Sequence, residues 1–209
     1  MSRYRIGYLD DDKGQIQNFY QRLKNEFDLK ILEINDISIP SDIINEIIKK
    51  DLQLIVLDFR LDSKGKYFNA DELLREIKKW NTYFPVLILT IHETDAFYQL
   101  DDVNIINNKD VLENKTNIFI LKINEIIKNY EYRKEMAVKR LEELVEKKET
   151  TGLIPAEEEE YFSTYHFLKN ITPSEKILPS NLLTPESISS LHDLLVSTRK
   201  ILSHLKEGK

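Results

Sequence analysis

Carboxylates, a hydroxyl and an amine stand where this chain could do chemistry. Asp10, Asp11 and Asp12 follow the apolar run Ile6-Gly7-Tyr8-Leu9, and Asp58 closes a second run, Leu54-Ile55-Val56-Leu57. A third, Val86 to Leu89, ends in Thr90, and a short one, Val103 to Ile106, leads to Lys109. Two carboxylates about 4 Å apart repel by roughly 4 kcal/mol at an effective dielectric of ~20. Clustering Asp10, Asp11 and Asp58 is therefore costly unless a cation compensates. Ligands that are all oxygen point to a hard ion such as Mg²⁺, with Mn²⁺ as the alternative. With such an ion in place, Asp58 can attack phosphorus and form an aspartyl-phosphate. Lys109 would neutralise the transferring oxygens. Thr90 could hydrogen-bond one of them and draw its loop inward, turning a covalent event into a change of shape.

For these groups to meet, the runs must be strands of one sheet. Apolar positions Ile16, Phe19, Leu23 and Phe27 recur at helical spacing after the first run. Ile43, Ile44, Ile47 and Ile48 repeat the signal after Ser41, and Leu73, Leu74, Ile77 and Trp80 do so before Pro85. Asp28 to Ile34 supplies a further strand. Strands alternating with helices imply βαβ units and a doubly wound parallel sheet. In such a sheet the C-terminal strand ends share one edge, where ligands bind. Taken singly, Asp10 to Asp12 also suit a solvated helix N-terminus, Thr90 a helix cap and Lys109 the surface. Their joint placement at one edge carries the reading. The register of the acid triplet leaves Asp11 and Asp12 as an alternative pair.

Residues 1 to about 128 resemble the receiver domain of two-component response regulators. The resemblance rests on the acid pair Asp10-Asp11 after the first strand, the lone Asp58 ending the third, Thr90 ending the fourth and Lys109 after the fifth. Asp58-Phe59-Arg60-Leu61 and Leu73-Leu74-Arg75-Glu76-Ile77 add to it. It implies a flavodoxin-like five-stranded parallel sheet of order 2-1-3-4-5, with Asp58 as phosphoacceptor. It also implies Mg²⁺ held directly by Asp11, Asp58 and the backbone carbonyl of Arg60, with Asp10 assisting, and a switch built on Thr90 and Lys109. Arg60 and His92 occupy positions that tune phosphoryl lifetime in the family. The implied phosphodonor is a histidine kinase or a phosphotransfer protein.

Several positions depart from the family pattern. Ile91 stands where a small residue usually follows the switch Thr, which narrows access to the phosphoryl group. Ile106 replaces the usual aromatic three residues before the Lys, so rotation of a ring on activation is in doubt. Asp62 and Asp110 replace prolines. The segment from Asp62 to Glu72 is long, and Thr90 to Lys109 is short, which implies a stunted fourth helix.

Beyond the receiver the chain reads as all-α. Nothing breaks a helix from Thr116 to about Glu149, and Ile123, Ile127, Tyr130, Lys134, Ala137, Leu141 and Leu144 follow a seam of coiled-coil or hairpin type. Gly152 is a C′ stop. Pro155 opens a second helix, to about 169, with Glu157 to Glu160 at its positive end. A third, about 185–206, follows Thr184-Pro185. The expected division is a receiver at 1–128 and an extension at 129–209. These amphipathic helices must bury their faces, in a hairpin, on the receiver or across a homodimer.

The chain of 209 residues has no cysteine and a net charge of −6, so disulfides and thiol chemistry are excluded and DNA binding is disfavoured. No helix of the extension is strongly basic, His192 reads as a surface histidine, and His166 and His204 have no partner at a ligand or catalytic spacing. No run approaches the ~20 apolar residues of a membrane span and no signal-peptide pattern opens the chain; a cytoplasmic location is expected. The leading expectation is a phosphorylation-dependent regulator with a protein output partner, its only catalysis being Mg-dependent self-phosphorylation and self-dephosphorylation. A phosphate sink draining a kinase relay and a pseudo-receiver scaffold are the alternatives.

Overall fold

A computed structural model describes residues 3–61 and 69–171. Short apolar runs rich in Ile, Leu and Val give β1 (Arg5–Leu9), β2 (Asp28–Leu32), β3 (Leu54–Leu57) and β4 (Val86–Thr90), and β5 is Ile106–Asn108. All pair in parallel in the order β2-β1-β3-β4-β5. This is the doubly wound parallel sheet expected from the alternation of elements, in the flavodoxin-like order that the resemblance implies. The helices are α1 (Lys13–Leu23), α2 (Asp42–Lys49), α3 (Ala70–Trp80), α4 (Glu93–Gln99), α5 (Val111–Asn114), α6 (Thr116–Thr150) and α7 (Pro155–Ile171). Strands buried on both faces read as continuous apolar runs, and β3 and β4 are buried at every position.

Two cores result, one on each face of the sheet. Ile6, Tyr8, Leu54, Val56, Leu87 and Leu89 pack with Phe19 and Leu23 of α1 and with Phe119, Ile123 and Ile127 of α6. Leu9, Ile55, Leu57, Val86 and Ile88 pack with α2, α3 and Ala96 of α4. Gly7 keeps the second face close: a Cβ there would lie 2.5 Å from Leu52 Cδ1. Tyr130, two residues past the expected receiver boundary, belongs to that core. It accepts a hydrogen bond from Asn81 Nδ2 at 2.7 Å and meets Phe84 edge-on.

One expected strand is displaced. Val103–Ile105 is a 3₁₀ turn, opened by Asp102, whose carboxylate accepts from the Asn104 N–H at 3.0 Å; β5 begins only at Ile106. The local side-chain-to-backbone bond offers that segment an alternative to sheet pairing. The fourth helix is indeed short, at seven residues.

The chain falls into two compact units, Met1–Lys139 and Arg140–Lys209. In the second, the last turns of α6 and α7 form an antiparallel hairpin. Arg140 pairs with Glu160 through two hydrogen bonds of 2.8 Å and Lys147 pairs with Glu157. α6 stops where Gly152 takes φ +80 and its N–H donates to Lys147 O, the left-handed stop that glycine adopts without a Cβ clash. Pro155 opens α7, with Glu157 and Glu158 in its first turn. The expected helix at about 185–206 and the turn before it lie outside the described residues. Among the described residues, no helix is long and apolar enough to cross a membrane.

Candidate functional site

Register brings the site together. Leu9 pairs with Leu57, and the Asp58 N–H donates to Leu9 O at 2.8 Å, so Asp10 and Asp58 leave the sheet side by side. Thr90 pairs with Asn108, and the Lys109 N–H donates to Thr90 O at 3.1 Å, so the amine-bearing residue leaves beside the hydroxyl-bearing one. Asp10, Asp58 and Thr90 each sit one residue past an apolar stretch, which fixes the strand and leaves the polar side chain at its end, whereas Lys109 follows the polar pair Asn107-Asn108 of β5.

Asp10, Asp58, Thr90 and Lys109 are all buried. Lys109 Nζ lies 2.8 Å from Asp10 Oδ2 and 3.2 Å from Asp58 Oδ1. Asp58 Oδ1 also accepts from the Phe59 N–H at 2.9 Å. Burial pushes the Asp58 carboxyl up to about 6, the Asp10 charge adds to this, and Lys109 opposes it. Burial also raises the Tyr8 hydroxyl far above its ordinary range, with Asp10 reinforcing the effect. Tyr8 therefore stays protonated and donates to Asp10 Oδ2.

Asp12 stands apart from the cluster. Its Oδ1 accepts from the N–H groups of Gly14 and Gln15, at 2.6 and 3.2 Å, as the N-cap of α1. The carboxylates that draw together are those of Asp10, Asp11 and Asp58, each offering an oxygen within 4.8 Å of the others. This donor set fits a hard divalent cation. It is all oxygen, and Asp11 remains partly open between two buried acids.

The remaining sequence-predicted residues are placed as follows. The Thr90 hydroxyl accepts from the His92 N–H at 3.0 Å, which leaves His92 as the half-buried N-cap of α4. The Arg60 guanidinium reaches across to Asp95 of α4, 2.5 Å away, in an ion pair that is largely exposed. Ile91 is 62% exposed, so its side chain faces solvent, whereas Ile106 is a core residue packed with Ile88 and Ala96. Two participants escaped the sequence reading. Tyr8 was hidden in an apolar run; the available signal was a hydroxyl two residues before an acid on the same strand face. Asp95 as the partner of Arg60 left no signal in local spacing.

No family model and no curated relative matches the chain. Solved structures do. The signal receiver domain of an HD domain-containing protein from Pseudomonas fluorescens Pf-5 superposes with TM-score 0.51 at 13% identity, over 65% of this chain and 94% of that one. A response regulator receiver protein from Sinorhizobium medicae WSM419 gives 0.46 at 14% identity, over 61% and 97%. A response regulator receiver domain protein from Clostridium thermocellum gives 0.44 at 18% identity, over 62% and 98%. With its all-parallel 2-1-3-4-5 sheet, this chain carries the fold of a response-regulator receiver domain.

Proposed function

We propose that the chain is a response regulator that accepts a phosphoryl group on Asp58. The observation that carries this reading is the cluster itself: a buried carboxylate at the end of β3, with Asp10 and Asp11 beside it and Lys109 Nζ at 3.2 Å. A structural ion pair alone gives no reason to gather a third acid, Asp11, beside the two that Lys109 pairs with.

Asp11, Asp58 and the Arg60 carbonyl would hold Mg²⁺, with Asp10 assisting. When bound, the ion offsets the negative charge of the phosphoryl oxygens during transfer. An Asp58 carboxylate oxygen forms the new bond to phosphorus, and the bond from phosphorus to the donor's nitrogen or oxygen breaks. The leaving group takes the electron pair. Lys109 supplies a positive charge to the transferred group from a site already on the Asp58 carboxylate. The Thr90 hydroxyl, now engaged by the His92 N–H, turns toward a phosphoryl oxygen and carries the start of α4 with it. The natural donor would be a phosphohistidine on a kinase or a phosphotransfer protein. The receiver body, expected to end near residue 128, would extend through Tyr130, and the helices beyond it would be the protein–protein output and the seat of a homodimer.

The test is labelling by acetyl phosphate in Mg²⁺, read by intact mass. Wild type should gain one phosphoryl group, and Asp58→Asn should gain none while keeping its helical circular dichroism. Undiminished labelling of Asp58→Asn would move the nucleophile elsewhere. A wild-type chain that never labels would leave an interaction scaffold as the function. A label that is lost within seconds would favour the phosphate sink.

A further inference from the structure

Tyr8 takes no part in the chemistry above, yet nothing else on its strand resembles it. The face that β1 presents through Ile6 and Tyr8 packs against Phe19 and Leu23 of α1 in an otherwise apolar core. A buried tyrosine must find a partner for its hydroxyl. Tyr8 is fully buried, its ring stacked on Phe19 with centroids 3.9 Å apart and planes 14° from parallel. Its hydroxyl donates to Asp10 Oδ2. That oxygen also receives Lys109 Nζ at 2.8 Å, while Oδ1 accepts the Asp12 N–H at 2.9 Å. Asp10 is thereby held at both oxygens by the chain's own donors, and one amine is shared between Asp10 and Asp58.

We propose that Tyr8 is a positioning residue that sets how Lys109 is divided between Asp10 and Asp58. The hydroxyl meets part of the hydrogen-bonding demand of Asp10. The ammonium is then not drawn wholly to Asp10, and it stays within reach of Asp58 and of a phosphoryl group placed there. A phenylalanine at position 8 would keep the ring against Phe19 but would leave Oδ2 to Lys109 alone. Tyr8 acts through Asp10 and Lys109 and touches no reacting atom. The inference rests on the reading of the acid cluster as a cation and phosphoryl site.

Tyr8→Phe keeps the ring and its stack and removes only the hydroxyl. Calorimetric titration with Mg²⁺ alone, and then with beryllofluoride in saturating Mg²⁺, separates the two effects. Mg²⁺ should bind no more weakly than to wild type, because Asp10 loses a donor and no charge. Beryllofluoride should bind about three- to tenfold more weakly, the effect of one buried hydrogen bond. Weakening of both would show a general loosening of the core and overturn the proposal. So would wild-type affinity for both. In an Asp10→Asn background, removing the hydroxyl should change beryllofluoride affinity by less than about twofold, since the path through the carboxylate is already cut. A full loss persisting there would also overturn it. A second measurement needs no loss of the hydroxyl. Fluorotyrosine placed at position 8 should show a fluorine resonance that moves when beryllofluoride binds, and a stationary resonance counts against the proposal. Wild type that binds neither Mg²⁺ nor beryllofluoride would remove the site reading and the inference together. Wild type that binds both, with Tyr8→Phe indistinguishable, would remove the inference alone.

Discussion

Replacing Asp58 with Asn should stabilise the cation-free protein, although it removes the proposed phosphoacceptor. The Asp58 carboxyl moves from 3.8 to about 6 on folding, chiefly through burial and the Asp10 charge. The folded protein therefore holds the Asp58 proton more tightly than the unfolded chain does. This contribution to stability is full below about pH 4 and is lost as pH rises toward about 6. By then the fold has lost about 3 kcal/mol relative to the acid limit, at 1.36 kcal/mol for each pH unit. Asn retains an oxygen for the Phe59 N–H, and the opposing pull of Lys109 at 3.2 Å is already contained in that figure. The net gain should therefore be about 1–3 kcal/mol, or about 2–10 °C in Tm. Thermal unfolding of both proteins in chelator, followed by circular dichroism between about pH 4 and pH 8, follows Asp58 together with the Asp10 and Lys109 charges coupled to it, because titrations elsewhere cancel in the difference. The difference should be smallest at the acid end and largest above about pH 6.5. Added Mg²⁺ should raise the Tm of wild type and not of the variant. A variant no more stable than wild type near neutral pH without Mg²⁺, or an advantage that does not vary with pH, would refute the reasoning.

Lys109→Met leaves Asp10 and Asp58 buried without their shared cation, so it should cost about 3–5 kcal/mol near neutral pH in chelator, measured by urea unfolding, and should also abolish labelling. Thr90→Ala should label normally but lose the change in hydrodynamic radius that beryllofluoride induces, as small-angle scattering would show. Ending the chain after Lys128 removes Tyr130 from its place against Phe84 and Asn81, so that fragment should be about 3–5 kcal/mol less stable than one ending after Lys139; equal denaturation midpoints would show that Tyr130 contributes nothing. Leu141 and Leu144 are already buried within a single chain, so changing both to Lys should unravel the hairpin, read as lost helical signal. If light scattering showed a halved mass with full helicity instead, those leucines would serve a dimer.

The strands and their terminal polar groups were legible because each local signal was strong. Three apolar runs, each followed by Asp or Thr, read as strands buried on both faces, and the helical periods between them implied parallel crossovers. Gly152 and Pro155 marked the turn between α6 and α7 for equally local reasons, a backbone needing positive φ and a residue suited to a helix start. What local spacing could not contain was decided by register and packing. Asp10 meets Asp58 because Leu9 pairs with Leu57, 48 residues away in sequence. The acid triplet divides into two clustered acids and one helix cap only when α1 begins at Lys13 and claims the Asp12 side chain. Val103 to Ile105 leaves the sheet because the Asp102 carboxylate captures a nearby N–H, and Tyr130 joins the receiver core because Asn81 waits across the fold. Tyr8 read as one more apolar strand residue. Only the tertiary structure, by burying its hydroxyl against a carboxylate that also binds Lys109, made it part of the site.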